Sequence, residues 1–142
     1  MISASQSSGI LIRLGLRVAE FLLKDRGSVL SGHQTVADLT IDDVRNGLAS
    51  GTIVLVDVRE ANEFAAGHIP GSVLLPLSAF DASDLPRPDG RRIVLSCRSG
   101  RRSLTAAGMA HEQGISIDAH YAGGFIDWVA NGEPVETGLP GE

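Results

Sequence analysis

Apolar and polar positions follow two rhythms along this chain, and from residue 36 onward the rhythms alternate. Ile53-Val54-Leu55-Val56-Asp57 is a continuous apolar run closed by an acid, the pattern of a strand covered on both faces. Val36-Ala37-Asp38-Leu39, Val73-Leu74-Leu75, Ile93-Val94-Leu95-Ser96 and Ala119-His120-Tyr121 read as four further strands. Between them, helices are predicted over Ile41–Leu48, Glu60–Ala66, Arg102–Gln113 and Phe125–Ala130. Thr40 is placed to cap the first, with Asp42 and Asp43 suited to its first turn. Gly51 and Gly67 stop helices, Ile69-Pro70-Gly71 makes a turn, residues 81–90 form a loop with two prolines, and Asn131-Gly132 closes the last helix. Strands alternating with helices imply an α/β fold, a parallel sheet wrapped on both faces. Ligands of such sheets bind beyond the carboxyl ends of the strands.

The first quarter follows a different pattern. Residues 1–8 are polar, Ser-rich and uncharged. From Gly9 to Lys24, the charges at Arg13, Arg17, Glu20 and Lys24 share one side of a helix. Leu11, Leu14, Val18, Phe21 and Leu22 make the opposite, apolar face. Gly27 to Gln34 reads as linker. The expected division is an extension over 1–32 (amphipathic helix and linker) and a single domain over 33–142. Charges interrupt the helix too often for a membrane span, and its polar start does not fit a secretory signal, although its serines and arginines weakly resemble a transit peptide. Docking on its own domain is the expected role, ahead of a dimer contact and of a membrane surface. The expected compartment is the cytoplasm.

Composition narrows the chemistry. A chain of 142 residues with 43% hydrophobic and 20% charged residues has the length and make-up of one soluble domain with a real core. The net charge of -5 argues against a nucleic-acid partner. Arg87, Arg91, Arg92, Arg98, Arg101 and Arg102 hold six of the twelve basic positions within one short stretch, which points to a small anionic ligand. The single cysteine excludes an intrachain disulfide and a thiolate metal cage. His33, His111 and His120 show no metal-ligand spacing, so neither metal nor cofactor is expected.

That cysteine opens the run Cys97-Arg98-Ser99-Gly100-Arg101-Arg102-Ser103, between a predicted strand and a helix start at Leu104-Thr105. Amides of such a loop point inward and the helix start adds partial positive charge, so the loop suits an anion. Thiols at helix starts beside cations titrate at about 3.5–7.5, so a nucleophilic thiolate needs no histidine base here. A lone cysteine is otherwise most often a small buried hydrophobe. Gly100, three arginines and the following helix favour reactivity.

Four stretches resemble the rhodanese family of single-domain sulfurtransferases: Leu55-Val56-Asp57-Val58-Arg59-Glu60 with Glu63-Phe64; Gly67-His68-Ile69-Pro70-Gly71-Ser72; the Cys97 loop; and Gly123-Gly124-Phe125 with Trp128 and Gly132-Glu133-Pro134-Val135. They occur in the family's order and cover roughly Val36 to Glu136. Two departures concern packing: Ala110 stands where a larger aliphatic is usual, and Phe125 where isoleucine is frequent.

The resemblance implies a five-stranded parallel sheet and sulfur transfer through a persulfide on Cys97. The thiolate would attack the outer sulfur of thiosulfate or a similar donor, sulfite would leave, and cyanide or a thiol would remove the sulfur in a second half-reaction. Amides of Ser99, Gly100, Arg101, Arg102 and Ser103 would cradle the persulfide. Arg98 and Arg102 would hold sulfonate oxygens, with Arg101 turned outward. Asp57 would brace the loop, and Arg59 would pair structurally with a carboxylate such as Glu63. His68 would fix its turn by a ring hydrogen bond, and Trp128 with Phe125 would belong to the core. The alternatives are a persulfide carrier fed by a sulfur-relay protein and a rhodanese-like protein-interaction module. A related phosphatase loop is one residue longer, with arginine six positions after the cysteine. Here Ser103 occupies that position. An arsenate reductase shares the loop by analogy, yet a lone cysteine does not complete its redox cycle unaided.

Overall fold

A computed structural model describes Ser28–Val29 and residues 35–141; the helix expected over 9–24 lies outside the described residues. In chain order the elements are β1 (Ser28–Val29), β2 (Thr35–Leu39), α1 (Ile41–Ser50), β3 (Ile53–Asp57), α2 (Ala61–Ala66), β4 (Val73–Leu74), β5 (Arg92–Ser96), α3 (Arg101–Glu112), β6 (Ala119–Tyr121) and α4 (Gly124–Ala130). Short 3₁₀ turns at Leu77–Ala79 and Ala82–Asp84 fill the long β4–β5 connection. The sheet runs β1-β2-β6-β5-β3-β4. β2 to β6 form the five parallel strands, and β1 adds an antiparallel edge on β2. β1 falls inside the segment expected to be linker. Two residues in a Gly/Ser-rich stretch carry no alternation that could mark them as a strand.

The helix signals act as their chemistry requires. Thr40 Oγ1 accepts the Asp43 N–H and Asp43 accepts the Thr40 N–H, a reciprocal box at the start of α1. Strand periodicity then sorts the core into two layers. Val36, Val56, Leu95, Ala106, Ala107 and Ala110 pack on one face, under α3. Ala37, Val44, Leu55, Val94, Tyr121 and Trp128 pack on the other, under α1 and α4. Ala110 is fully buried, and its small side chain lets α3 lie close to the sheet.

Register decides what meets at the carboxyl ends. Asp57 lies beside Ser96, Leu95 beside His120, and Asp38 beside His120. Side chains alternate across a strand, so Asp38 and His120, flanked by the inward-facing Ala37, Ala119 and Tyr121 of the other layer, both face α3. The chain leaves β5 at this end of the sheet, and Cys97 follows at once. Arg91 and Arg92 stand at the far end of β5, where Arg91 Nε donates to Pro88 O and Arg92 Nε pairs with Asp118. The six arginines that are neighbours in sequence are therefore divided, with only Arg98, Arg101 and Arg102 in the Cys97 loop.

Candidate active site

The loop from Cys97 to Gly100 is fixed from outside by its own carbonyls. Phe125 N–H donates to Cys97 O at 2.8 Å and Ile126 N–H donates to Arg98 O at 3.1 Å, so the first turn of α4 holds the outer rim. That approach needs glycine at 124. Its φ is +68°, and a Cβ there would lie 2.4 Å from Arg98 O and 2.7 Å from Cys97 O. Gly100, at φ +94°, turns the chain back, and a Cβ on it would lie 2.4 Å from Ala122 O. With the carbonyls turned outward, the Gly100 N–H points inward and donates to Cys97 Sγ at 3.1 Å. Cys97 as a residue is only 1% exposed. Burial alone would fit an inert core thiol; an amide aimed at the sulfur is the feature of an anion site.

The three loop arginines differ. Arg98 and Arg101 are exposed, and their guanidinium groups have no ion pair among the described residues. Arg102 is half-buried and committed: Nη1 and Nη2 donate to Glu63 Oε1 and Oε2 at 2.7 and 2.9 Å. Glu63 also accepts the Glu60 N–H at 2.9 Å. The Arg102 hydrogen bonds, opposed by desolvation, lower the Glu63 carboxyl to about 2. A depressed carboxylate stabilises the fold fully above its ordinary range near 4.5 and loses that contribution as pH falls through about 2. The pair is therefore intact throughout neutral and mildly acidic solution.

This pairing corrects the expected one. Arg59 does not pair with Glu63. Its Nη2 donates to Asp57 Oδ2 at 2.8 Å, its Nε lies 3.1 Å from both carboxylate oxygens, and its backbone N–H donates to Oδ1 at 3.0 Å. Nη2 also donates to Gly67 O at 2.8 Å, and the guanidinium carbon lies 4.2 Å from the Phe125 ring centroid. Both charged side chains are buried. Through hydrogen bonds and ring contacts Asp57 reaches the loop at second hand: it holds Arg59, Arg59 supports Phe125, and Phe125 holds Cys97 O. Asp57 two positions before Arg59 and Glu63 four positions after it are both within reach, so spacing alone does not decide the partner. The strand-end geometry does, because Asp57 and Arg59 leave β3 on the same side.

His68 Nδ1 lies 2.8 Å from Phe64 O and its ring stacks on Phe64 at 3.7 Å, which fixes the turn after α2. Trp128 is buried with Nε1 donating to Pro134 O at 2.7 Å. One residue set aside on sequence grounds lies at the site. His120, 2% exposed, places Nδ1 2.7 Å from Ser103 Oγ and Nε2 2.7 Å from Asp38 Oδ1. Ser103 Oγ lies 3.6 Å from Cys97 Sγ. A polar residue alternating with Ala119 and Tyr121 in a buried strand was the available signal; metal spacing was the wrong test for it.

The comparisons with known proteins agree with this geometry. The model of the rhodanese-like domain matches residues 40–131. Over 100 residues the chain is 36% identical to the uncharacterized protein slr1261 of Synechocystis, spanning 70% of this chain and about half (54%) of that relative. It is 32% identical over 114 residues to human thiosulfate:glutathione sulfurtransferase, spanning 70% of this chain and 96% of the relative. The solved structure of the human single-domain sulfurtransferase TSTD1 superposes with a TM-score of 0.55 at 30% identity, covering 66% of this chain and 95% of that one. With its parallel sheet, its cysteine-led loop and relatives that are sulfurtransferases, the chain belongs to the rhodanese-like domain family.

Proposed function

We propose that the protein moves a sulfane sulfur from thiosulfate or a similar anionic donor to a small thiol or cyanide, carrying it as a persulfide on Cys97. The observation that carries this reading is the Gly100 N–H donating to Cys97 Sγ at 3.1 Å within a loop whose Cys97 and Arg98 carbonyls are held by α4. The relative named for thiosulfate and glutathione supports the same donor and acceptor classes. A cleft of about 530 Å³ lined by Glu63, Arg98, Phe125, Ile126, Val129 and Val135 lies beside the loop, with the Arg98 side of the loop on its wall. In the first half-reaction the Cys97 thiolate forms a bond to the outer sulfur and the bond to the sulfonate sulfur breaks, with the electron pair leaving on sulfite. In the second, the acceptor takes the outer sulfur and the thiolate is restored.

An interaction module would have no use for an amide aimed at the sulfur of a cysteine that is only 1% exposed. A persulfide carrier differs only in its donor, another protein. Intact mass spectrometry after incubation with thiosulfate tests the proposal: the chain gains one sulfur atom, and Cys97→Ser gains none. No gain in the native chain with thiosulfate, mercaptopyruvate or a desulfurase persulfide would exclude transfer.

Arg102 provides a further test. Glu63 neutralises it, so the free cations at the mouth are Arg98 and Arg101. Glu63→Gln is expected to lower KM for thiosulfate about three- to tenfold, an effect that shrinks as salt screens the released charge. An unchanged or raised KM in steady-state kinetics would leave Arg102 with a structural role alone.

A further inference from the structure

Asp38, His120 and Ser103 form a hydrogen-bonded line that ends at the reactive sulfur, and the sulfur-transfer scheme above makes no use of it. We propose that this line is a proton relay, in which Ser103 touches Cys97 Sγ and His120, held by Asp38, is the positioning residue that takes up the thiol proton. This rests on the proposed persulfide chemistry and adds how the thiolate is formed, replacing the expectation from the loop alone that no histidine base is needed.

The fold brings the three together by register. Asp38 of β2 and His120 of β6 are direct strand partners on the face toward α3, and Ser103 is the third residue of α3. The groups facing the imidazole are the Asp38 carboxylate from β2 and the Ser103 hydroxyl from α3, with Cys97 one contact further; across the strand pair β5 presents Leu95, which does not titrate.

The proton inventory follows from the donors and acceptors. Nε2, 2.7 Å from a carboxylate oxygen, carries a proton and donates it. In the neutral ring Nδ1 is then an acceptor, and at 2.7 Å it takes the Ser103 proton. The Ser103 oxygen is left to accept from the Cys97 S–H at 3.6 Å. Activation is one concerted shift. The thiol proton passes to Ser103 Oγ while the hydroxyl proton passes to Nδ1. The products are a thiolate, a Ser103 hydroxyl whose new proton can point to the thiolate or to Gly100 O at 3.2 Å, and an imidazolium beside Asp38. Net charge is unchanged, which suits a site closed from water. When the acceptor removes the sulfur, the proton returns by the same path.

The experiment is the rate of persulfide formation against pH, read by rapid-quench mass spectrometry on the full chain. Ser103→Ala and His120→Gln are expected to slow it about ten- to a hundredfold at neutral pH and to move the rising limb to higher pH, converging with the native chain once thiolate forms unaided. Ser103→Thr, which keeps the hydroxyl, restores the native profile. Asp38→Asn, at a more exposed position (side chain 31% exposed), guards against misfolding. Its amide can donate to Nε2 and hold the ring in the wrong tautomer, giving the same displacement. Native-like profiles in these variants, or an equal loss at every pH, overturn the relay and leave sulfur transfer standing. Should the native chain take up no sulfur, the transfer reading fails by itself. The relay is then judged on the pH dependence of iodoacetamide alkylation, which must shift in the same way or the relay falls too.

Discussion

Asp57→Ala is expected to destabilise the domain by about 3–5 kcal/mol, because it leaves the Arg59 guanidinium buried without its counter-charge. Only Gly67 O and the Phe125 ring would remain against it. For a domain of this size each kcal/mol corresponds to roughly 3–5 °C in Tm, so thermal unfolding would show the loss plainly. Activity is expected to fall as well, since Phe125 rests on Arg59 and holds Cys97 O. Removing both charges at once separates the two effects. The double variant Asp57→Leu with Arg59→Met no longer buries an unpaired charge and should regain most of the stability. If Asp57→Ala alone unfolds within a degree or two of the native chain, the pair is not the support that its burial implies.

Gly124→Ala should damage the site more than the fold. A methyl group at this position adopts a left-handed backbone that disfavours side chains by about 1–2 kcal/mol. It also meets Arg98 O at 2.4 Å and the Arg98 carbonyl carbon at 2.6 Å. Those are backbone atoms, so relief requires the loop to move off α4. The Phe125 N–H···Cys97 O and Ile126 N–H···Arg98 O bonds would stretch together, and the Gly100 amide would lose its aim on the sulfur. A misplacement of about 1 Å is enough to reduce a rate by about a hundredfold, and that is the expected fall in persulfide formation. Gly51→Ala is the control. It shares a positive φ, +71°, but a Cβ there meets nothing within 4 Å, so it should lose stability without loss of rate. Equal rates for Gly124→Ala and the native chain in single-turnover assays would show that α4 does not set the loop.

These two residues also show where sequence and structure part. The five parallel strands and four helices were legible because their signals are local: an unbroken apolar run at Ile53–Asp57, a capping pair at Thr40 and Asp43, and alternation that places Val56 and Leu55 on opposite layers. The loop was legible for the same reason, since its thiol, glycine and helix start are contiguous. Partner choice was not. Arg59 takes Asp57, and Arg102, expected to hold a donor's oxygens, takes the Glu63 expected for Arg59, because strand-end direction and helix placement decide the pairing. The Asp38–His120 contact spans 82 positions and exists only once β2 and β6 are set side by side in register. The arginines at 87, 91 and 92 misled for the converse reason. A strand carries its two ends apart, so neighbours in sequence became opposite ends of the sheet.

Sulfur that travels on Cys97 as a persulfide must come from the donor's outer atom, which isotopic placement reads out. Thiosulfate labelled at its outer sulfur should leave label on the protein in a one-to-one ratio, absent from Cys97→Ser and fully recovered as thiocyanate on adding cyanide. Thiosulfate labelled at the inner, sulfonate sulfur should leave none. Label retained from the inner sulfur, or outer label found equally on Cys97→Ser, would rule out a Cys97 persulfide.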